Sequence, residues 1–218
     1  MNLRVKICGI TQPHQGRAIA QMGASMLGFI CAPTSPRYVT PEQIANIVAA
    51  LPQHPDTGQP SCDRVGVFVD ADIDMICRTV AIAHLNGVQL HGQESPEFCW
   101  QLRQYLPAIE LIKALRVHSS ATLNLVEHYQ HCVDTLLLDA YDPNLAGGTG
   151  KTLNWHSLQA FHPPRPWLLA GGLTPDNIRE ALTQTHPTGI DLSSGVEVAP
   201  GIKDLRKVGQ LLAQLETL

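Results

Sequence analysis

The sequence predicts a single-domain (β/α)8 barrel, an α/β TIM barrel spanning residues 1–218, and three observations carry that prediction. Apolar, β-branched runs alternate with helix-like stretches, the pattern of a parallel sheet built from βα units. Eight such runs fit within 218 residues, toward the lower end of the size range of an eight-stranded barrel. The first βα turn carries a lone Gly9 and no G-x-G-x-x-G, so the dinucleotide fingerprint of the competing doubly wound sheet is missing.

In order, strands are expected near Arg4–Cys8, Met26–Ile30, Arg64–Val69 and Gly87–Leu90, then near Glu110–Leu115, Val133–Asp139, Trp167–Ala170 and Gly189–Ser193. The first, Val5-Lys6-Ile7-Cys8, delivers a thiol to its carboxyl end before Gly9 turns the backbone toward a helix. The third reads Val65-Gly66-Val67-Phe68-Val69, and the sixth passes through Leu136-Leu137-Leu138. Helices fill the intervals. Pro41, Pro96 and Pro175 are placed just inside helix starts, where the missing N–H costs nothing, and Thr40, Ser95 and Thr174 before them are natural N-caps. The two least regular stretches are Leu51–Cys62 and Ala140–Thr152. The first precedes a strand and belongs to the barrel's bottom; the second follows one and belongs to the top, where catalytic groups collect.

A chain of this length buries roughly seven tenths of its unfolded surface. Hydrophobic residues make up 44% and the formal charge is −4, with no basic block or aromatic-basic interleaving, so a nucleic-acid partner is not expected. The amino terminus has no basic region leading into an apolar stretch, and nowhere do 18 apolar residues follow one another. A cytoplasmic protein without membrane contact is expected. Six cysteines, none in a C-x-x-C pair, read as reduced thiols, mostly packed in the core.

Two signals near the carboxyl end fit one anion site. Ala170-Gly171-Gly172-Leu173 ends the seventh strand, and Asp191-Leu192-Ser193-Ser194-Gly195-Val196-Glu197 ends the eighth. Glycines let a backbone approach a ligand closely, and barrels frequently bind phosphate in the loops after these two strands. Either motif alone is satisfied by a tight turn; at adjacent barrel positions the pair points to phosphate. Gly147-Gly148-Thr149-Gly150-Lys151-Thr152 is not a nucleotide P-loop, because that motif needs glycine where Leu145 stands. As a loop after the sixth strand it could lend N–H groups to the same phosphate.

Cys8 and Asp139 end strands on opposite sides of the predicted mouth. A free thiol, with a pKa near 8.5, is only a few per cent thiolate at neutral pH, and lowering it by one unit takes about 1.4 kcal/mol. Neighbouring backbone N–H groups or Lys6 could supply that much. A carboxyl serves as an acid at neutral pH only when desolvated or set beside negative charge. The pair suggests a base on one side and an acid on the other. Arg37, after the second strand, could clamp a carboxylate with its planar fork, and Gln89 and His91 could line the pocket. Ten histidines show no H-x-x-x-H or H-E-x-x-H spacing, and the pair His128 and His131 falls at the end of an outer helix, so no metal is expected. Lys113 on the fifth strand could form a Schiff base, but a paired barrel lysine is the better reading.

These strings, with Gly28-Phe29-Ile30, Ser35-Pro36-Arg37 and Val88-Gln89-Leu90-His91-Gly92, resemble the phosphoribosylanthranilate isomerase family of tryptophan biosynthesis. The match runs in order across almost the whole chain; its first and last strings are specific to that family, whereas the glycine pairs are shared with other phosphate-binding barrels. The resemblance implies a cofactor-free enzyme catalysing an Amadori rearrangement of a small phosphosugar, N-(5-phosphoribosyl)anthranilate. It further implies Asp139 as general acid, Cys8 as the base at C2 and Arg37 on the anthranilate carboxylate. Phosphate would be held by main-chain N–H groups around Gly148, Gly150, Gly171, Gly172, Ser194 and Gly195. Departures from the family pattern are Cys31-Ala32-Pro33 and a longer insert at His54–Ser61. Two other readings stay open: an isomerase barrel of the histidine-pathway type, whose acid and base are more often two aspartates, and a phosphosugar-binding barrel without catalysis.

Overall fold

Eight parallel strands, β1 (Arg4–Cys8), β2 (Met26–Ile30), β3 (Asp63–Phe68), β4 (Gly87–Leu90), β5 (Glu110–Val117), β6 (Thr135–Ala140), β7 (Trp167–Ala170) and β8 (Gly189–Leu192), close into a barrel in chain order. β1 pairs with both β2 and β8. The computed structural model describes residues 3–117, 123–140, 155–159 and 161–217. Seven α-helices lie among the described residues: α1 (Pro13–Gln21), α2 (Pro41–Ala49), α3 (Ile73–Ala83), α4 (Pro96–Tyr105), α5 (Val126–Tyr129), α6 (Ile178–Gln184) and α7 (Leu205–Leu215). A 3-10 turn at Trp155–Leu158 stands between β6 and β7, and another at Ser194–Val196 follows β8. A short antiparallel hairpin of β9 (Glu197–Ala199) and β10 (Ile202–Lys203) then leads into α7. No helix among the described residues is long and apolar enough to cross a membrane.

Helix starts follow local chemistry. The Thr40 hydroxyl accepts from the Gln43 amide (3.2 Å) while the Gln43 side chain accepts from the Thr40 amide (2.8 Å), a capping box in front of Pro41. Ser95 caps α4 through the Phe98 amide at 3.3 Å. Thr174 does not cap α6 as its sequence suggests. Its hydroxyl instead accepts from the Asp176 amide (3.2 Å) in a local turn, its own amide donates to the Asn177 side chain (2.8 Å), and regular helix begins after Asn177.

Alternation along the strands sorts side chains between the barrel interior and the helical shell. Ile7, Leu27, Phe29, Leu90, Leu111, Leu138 and Ile190 face outward into one large buried cluster with the helices. The interior is layered. At the bottom, Arg4 donates to both Glu110 oxygens (2.7 Å each) and to Asp63 (3.2 Å), and Thr135 donates to Glu110 (2.7 Å). Met26, Val65, Ile112, Leu137 and Leu168 form a buried apolar group above that plug. Lys6, wholly buried, is paired with Asp191 at 3.0 Å. An ion pair at such a depth commonly stabilises less than packed apolar side chains would. Its presence inside the barrel therefore directs attention to the mouth above it.

Candidate active site

A cavity of about 300 Å³ opens at the carboxyl ends of the strands. Cys8, Arg37, Gln89, His91 and Asp139 line it, and so do Gly171, Gly172, Ser194 and Gly195. Gly148 and Gly150 lie outside the described residues. Ile30, Val67, Ala170, Leu173 and Leu192 supply apolar wall. Lys113 is absent from this lining. It donates to Glu94 (2.7 Å) and to the Gly92 carbonyl (2.8 Å), and both ion-pair side chains are 2% exposed, so it is a buried structural lysine.

Cys8 points inward from the last residue of β1, opposite Gly28 in the β1–β2 register. A methyl group at Gly28 would sit 2.6 Å from the Cys8 sulfur and 3.0 Å from its Cα, so the glycine reserves the sulfur's space. Gly28→Ala is expected to lower kcat about a hundredfold, the scale of a 1 Å misplacement of a reacting group. Steady-state kinetics beside a melting curve check this: a near-normal kcat in the folded variant would show that the space is not reserved for the reaction.

Burial pushes the Cys8 thiol above the ordinary cysteine range, against the pull of Lys6, while Asp191 pushes it further and Lys203 opposes. This corrects the expectation of a depressed thiol: Lys6 does pull it down, but the net direction is upward. The reason is first the burial of the sulfur, which outweighs the lysine's pull, and then the negative charge of Asp191 beside it. Burial works against the Lys6 ammonium too, yet Asp191 and Cys8 together hold its pKa above the usual lysine value.

Across the mouth, the Asp139 carboxylate lies 3.4 Å from His91 Nε2. The Gln89 amide nitrogen lies 2.9 Å from His91 Nδ1. With that amide donating, Nδ1 is the acceptor and the ring proton sits on Nε2, facing Asp139. β4 therefore delivers both an orienting amide and an imidazole that supports the carboxyl at the end of β6. Gln89 Oε1 and Asp191 Oδ1 are buried without hydrogen-bond partners among the described residues, and both side chains line the cavity. Such acceptors suit ligand hydroxyls.

The other wall is main chain. Gly171 (φ +89°) and Gly172 (φ +63°) occupy the left-handed region that favours glycine, and Asn177 Nδ2 holds the Gly172 carbonyl at 2.9 Å. A methyl group at Gly195 would meet the Leu173 carbonyl oxygen at 1.9 Å, so the loops after β7 and β8 touch through that glycine. Ser194 and Gly195 open a 3-10 turn, where the first amides have no partner within the turn. These amides and those after β7 line one end of the cavity, a fitting place for an anion.

A family profile for N-(5'phosphoribosyl)anthranilate (PRA) isomerase matches residues 5–214. The N-(5'-phosphoribosyl)anthranilate isomerase of Rippkaea orientalis is 59% identical over 214 residues, covering 98% of this chain and 96% of that one. The chain belongs to the N-(5'-phosphoribosyl)anthranilate isomerase family. It is thus an isomerase of tryptophan biosynthesis. The phosphoribosyl anthranilate isomerase of Thermotoga maritima shares the barrel with a TM-score of 0.87 at 35% identity, over 99% of this chain and 100% of that one. A further solved phosphoribosyl anthranilate isomerase, in complex with reduced 1-(o-carboxyphenylamino)-1-deoxyribulose 5-phosphate, matches with a TM-score of 0.84 at 33% identity and the same coverage.

Several residues of this isomerase's site escape a reading of the sequence alone. Asp191 reads as an acidic neighbour of the phosphate loop, yet its side chain faces Lys6 in the barrel. The one available signal was its place in the inward-facing series Gly189, Asp191, Ser193. Glu197 reads only as the end of the string after the eighth strand, and Lys203 gave no signal; the partner that ties them to the cavity, Arg37, lies 160 residues from Glu197 in the chain. Arg37 and Lys203 meet on the Glu197 carboxylate: the Arg37 Nη2–Glu197 Oε2 distance is 2.6 Å and the Lys203 Nζ–Glu197 Oε1 distance is 2.7 Å.

Proposed function

We propose that this isomerase converts N-(5-phosphoribosyl)anthranilate into 1-(2-carboxyphenylamino)-1-deoxyribulose 5-phosphate, with Asp139 as general acid and Cys8 as general base. The observation that carries the assignment is the placement of those two side chains across one cavity whose adjoining wall is main-chain amide from the β7 and β8 loops. Asp139 gives its proton to the furanose ring oxygen as the C1–O bond breaks, and the anilino nitrogen lone pair becomes the C1=N bond of an iminium. The Cys8 thiolate then removes the proton on C2, and that electron pair neutralises the iminium to an enolamine. Tautomerisation of the enolamine delivers the C2 ketone. Both proton transfers are internal to the rearrangement, so the reaction is redox-neutral overall.

Position supports the chemistry. Amides of Gly171, Gly172, Ser194 and Gly195 hold the phosphate, and Arg37 takes the anthranilate carboxylate at the other end. Fixing both anionic ends keeps C1 and C2 between acid and base, an orientation effect worth several kcal/mol. Ile30, Val67 and Leu192 give the anthranilate ring an apolar surface to lie on. Asp191 and Gln89, each with a buried oxygen that has no partner among the described residues, can receive sugar hydroxyls.

The test is turnover of the freshly generated substrate, followed as loss of anthranilate-type fluorescence, with inorganic phosphate as competitive inhibitor. The purified protein is expected to turn the substrate over and to be inhibited by phosphate. Binding of the phosphosugar without turnover would favour a barrel that binds and does not catalyse.

A further inference from the structure

Arg37 is not a free loop arginine. Its Nε lies 2.9 Å and 3.2 Å from the two oxygens of Glu197, and Nη2 lies 2.6 Å from Oε2, so one edge of the guanidinium is filled by a carboxylate that is 4% exposed. The same carboxylate accepts from Lys203 Nζ (2.7 Å) and from the Gly201 amide (3.2 Å). Lys203 also donates to the Cys8 and Ser193 carbonyls, and its main chain is clasped by the Gln15 side chain at 3.0 Å and 3.1 Å. Thr11 donates to the Gly201 carbonyl at 2.6 Å. The β9–β10 hairpin, which the eight-stranded barrel does not need, is thereby tied to the loop after β1 and carries Glu197 and Lys203 to Arg37.

The arrangement has a charge consequence. Two cations share one carboxylate, leaving a surplus of one positive charge. Arg37 lines the cavity whereas Glu197 and Lys203 do not, so the surplus is presented on the cavity side. Gly9 lies beneath: with φ +81° it can carry no side chain without strain, and a methyl group there would meet Arg37 Cδ at 2.7 Å. The arginine's stem thus packs closely against Gly9 and its guanidinium is fixed along one edge before any ligand arrives, and a preorganised arginine gives up less rotamer freedom on binding. Burial alone would push the Glu197 carboxyl up, but Arg37 and Lys203 hold it below the usual range, so that carboxylate stays ionised through neutral pH.

We infer that Glu197, backed by Lys203, is a positioning residue that presents the open edge of Arg37 to the cavity and so sets the enzyme's preference for a substrate whose aryl amine bears an ortho carboxylate. The inference rests on the reading that Arg37 meets that carboxylate. It contrasts with a purely structural role, in which Glu197 only fastens the hairpin.

The test is a double-mutant cycle of Glu197→Gln and Arg37→Met, read as KM, kcat, the inhibition constant of inorganic phosphate and the melting temperature. Arg37→Met is expected to raise KM about thirtyfold, and Glu197→Gln about tenfold with kcat within about threefold of the parent. Phosphate inhibition should not change in either, and the double variant should be no worse than Arg37→Met alone. Glu197→Asp, which keeps the charge but shortens the reach, should fall between parent and Glu197→Gln and serves if the glutamine variant does not fold. A normal KM in the Glu197 variants beside a raised KM in Arg37→Met would overturn the positioning role and leave the carboxylate reading standing. A normal KM in Arg37→Met would remove the carboxylate reading itself. Multiplicative effects in the double variant, or a lower melting temperature with KM untouched, would also overturn the inference, since Glu197 would then act apart from Arg37.

Discussion

Asp139→Asn is expected to lower kcat by about a thousandfold, within the span that general acid catalysis supplies. The substitution is chosen for what it preserves. Asparagine matches the carboxylate in shape, and its carbonyl can still accept from His91 Nε2, which lies 3.4 Å from Asp139 Oδ2. KM and the phosphate inhibition constant should therefore remain within about threefold of the parent, because a group needed only in the transition state is lost without loss of ground-state binding. What disappears is the transferable proton. Without it the furanose oxygen must leave as an alkoxide, which is the costly step of ring opening. His91 adds to the argument from the other direction: once Asp139 has given up its proton, the imidazole N–H beside it stabilises the carboxylate left behind. A variant that retains more than about a tenth of parental kcat would deny Asp139 the role of acid, since even the low end of acid catalysis exceeds that factor.

The barrel was legible because the sequence states its period plainly. β1, β2, β4 and β7 have the bounds expected of them, whereas β3 begins one residue earlier, β5 runs two residues further and β6 starts at Thr135. Cys8 and Asp139 were legible for the same reason: a residue ending a barrel strand lies at the mouth whatever its partners. Thr174 misled because a hydroxyl ahead of Pro175 serves a local turn as well as a helix cap. The β9–β10 hairpin was invisible, its strands being three and two residues long, too short for any alternation to register. The largest miss was electrostatic. Lys6 was rightly placed beside Cys8, but the net effect on the thiol is set first by its burial and then by Asp191, 185 residues from Lys6 in the chain and adjacent only once β8 closes against β1. Gly28 belongs to a recognisable string, yet its physical task follows only from the register that sets it opposite the sulfur.

Cys8→Ser is expected to cost as much as or more than the aspartate substitution, about a thousandfold to ten-thousandfold in kcat, because a serine hydroxyl holds its proton far more tightly than a thiol. The pH dependence gives the sharper test. On the proposed mechanism the base works as thiolate, so kcat/KM should rise with pH along a limb set by Cys8, and burial places that limb above the ordinary cysteine range. On that mechanism few molecules hold the thiolate at neutral pH, and the iminium formed after ring opening would compensate by acidifying the proton on C2. The groups that bear on the sulfur are Lys6 on its own strand, Asp191 on β8 and Lys203 on β10, with Arg37 and Cys31 from the segment after β2. Their signs make distinguishable predictions. Asp191→Asn removes a negative charge that disfavours thiolate, so alkylation of Cys8 by iodoacetamide should shift to lower pH. Lys6→Met removes a cation that favours it, and the shift should run to higher pH. Cys8→Ser should abolish both the alkylation and the rising limb. Alkylation that moves the same way in both charge variants would overturn the opposed effects of Lys6 and Asp191 on the thiol, and a pH profile that keeps the limb in Cys8→Ser would show that the proton on C2 is taken by some other group.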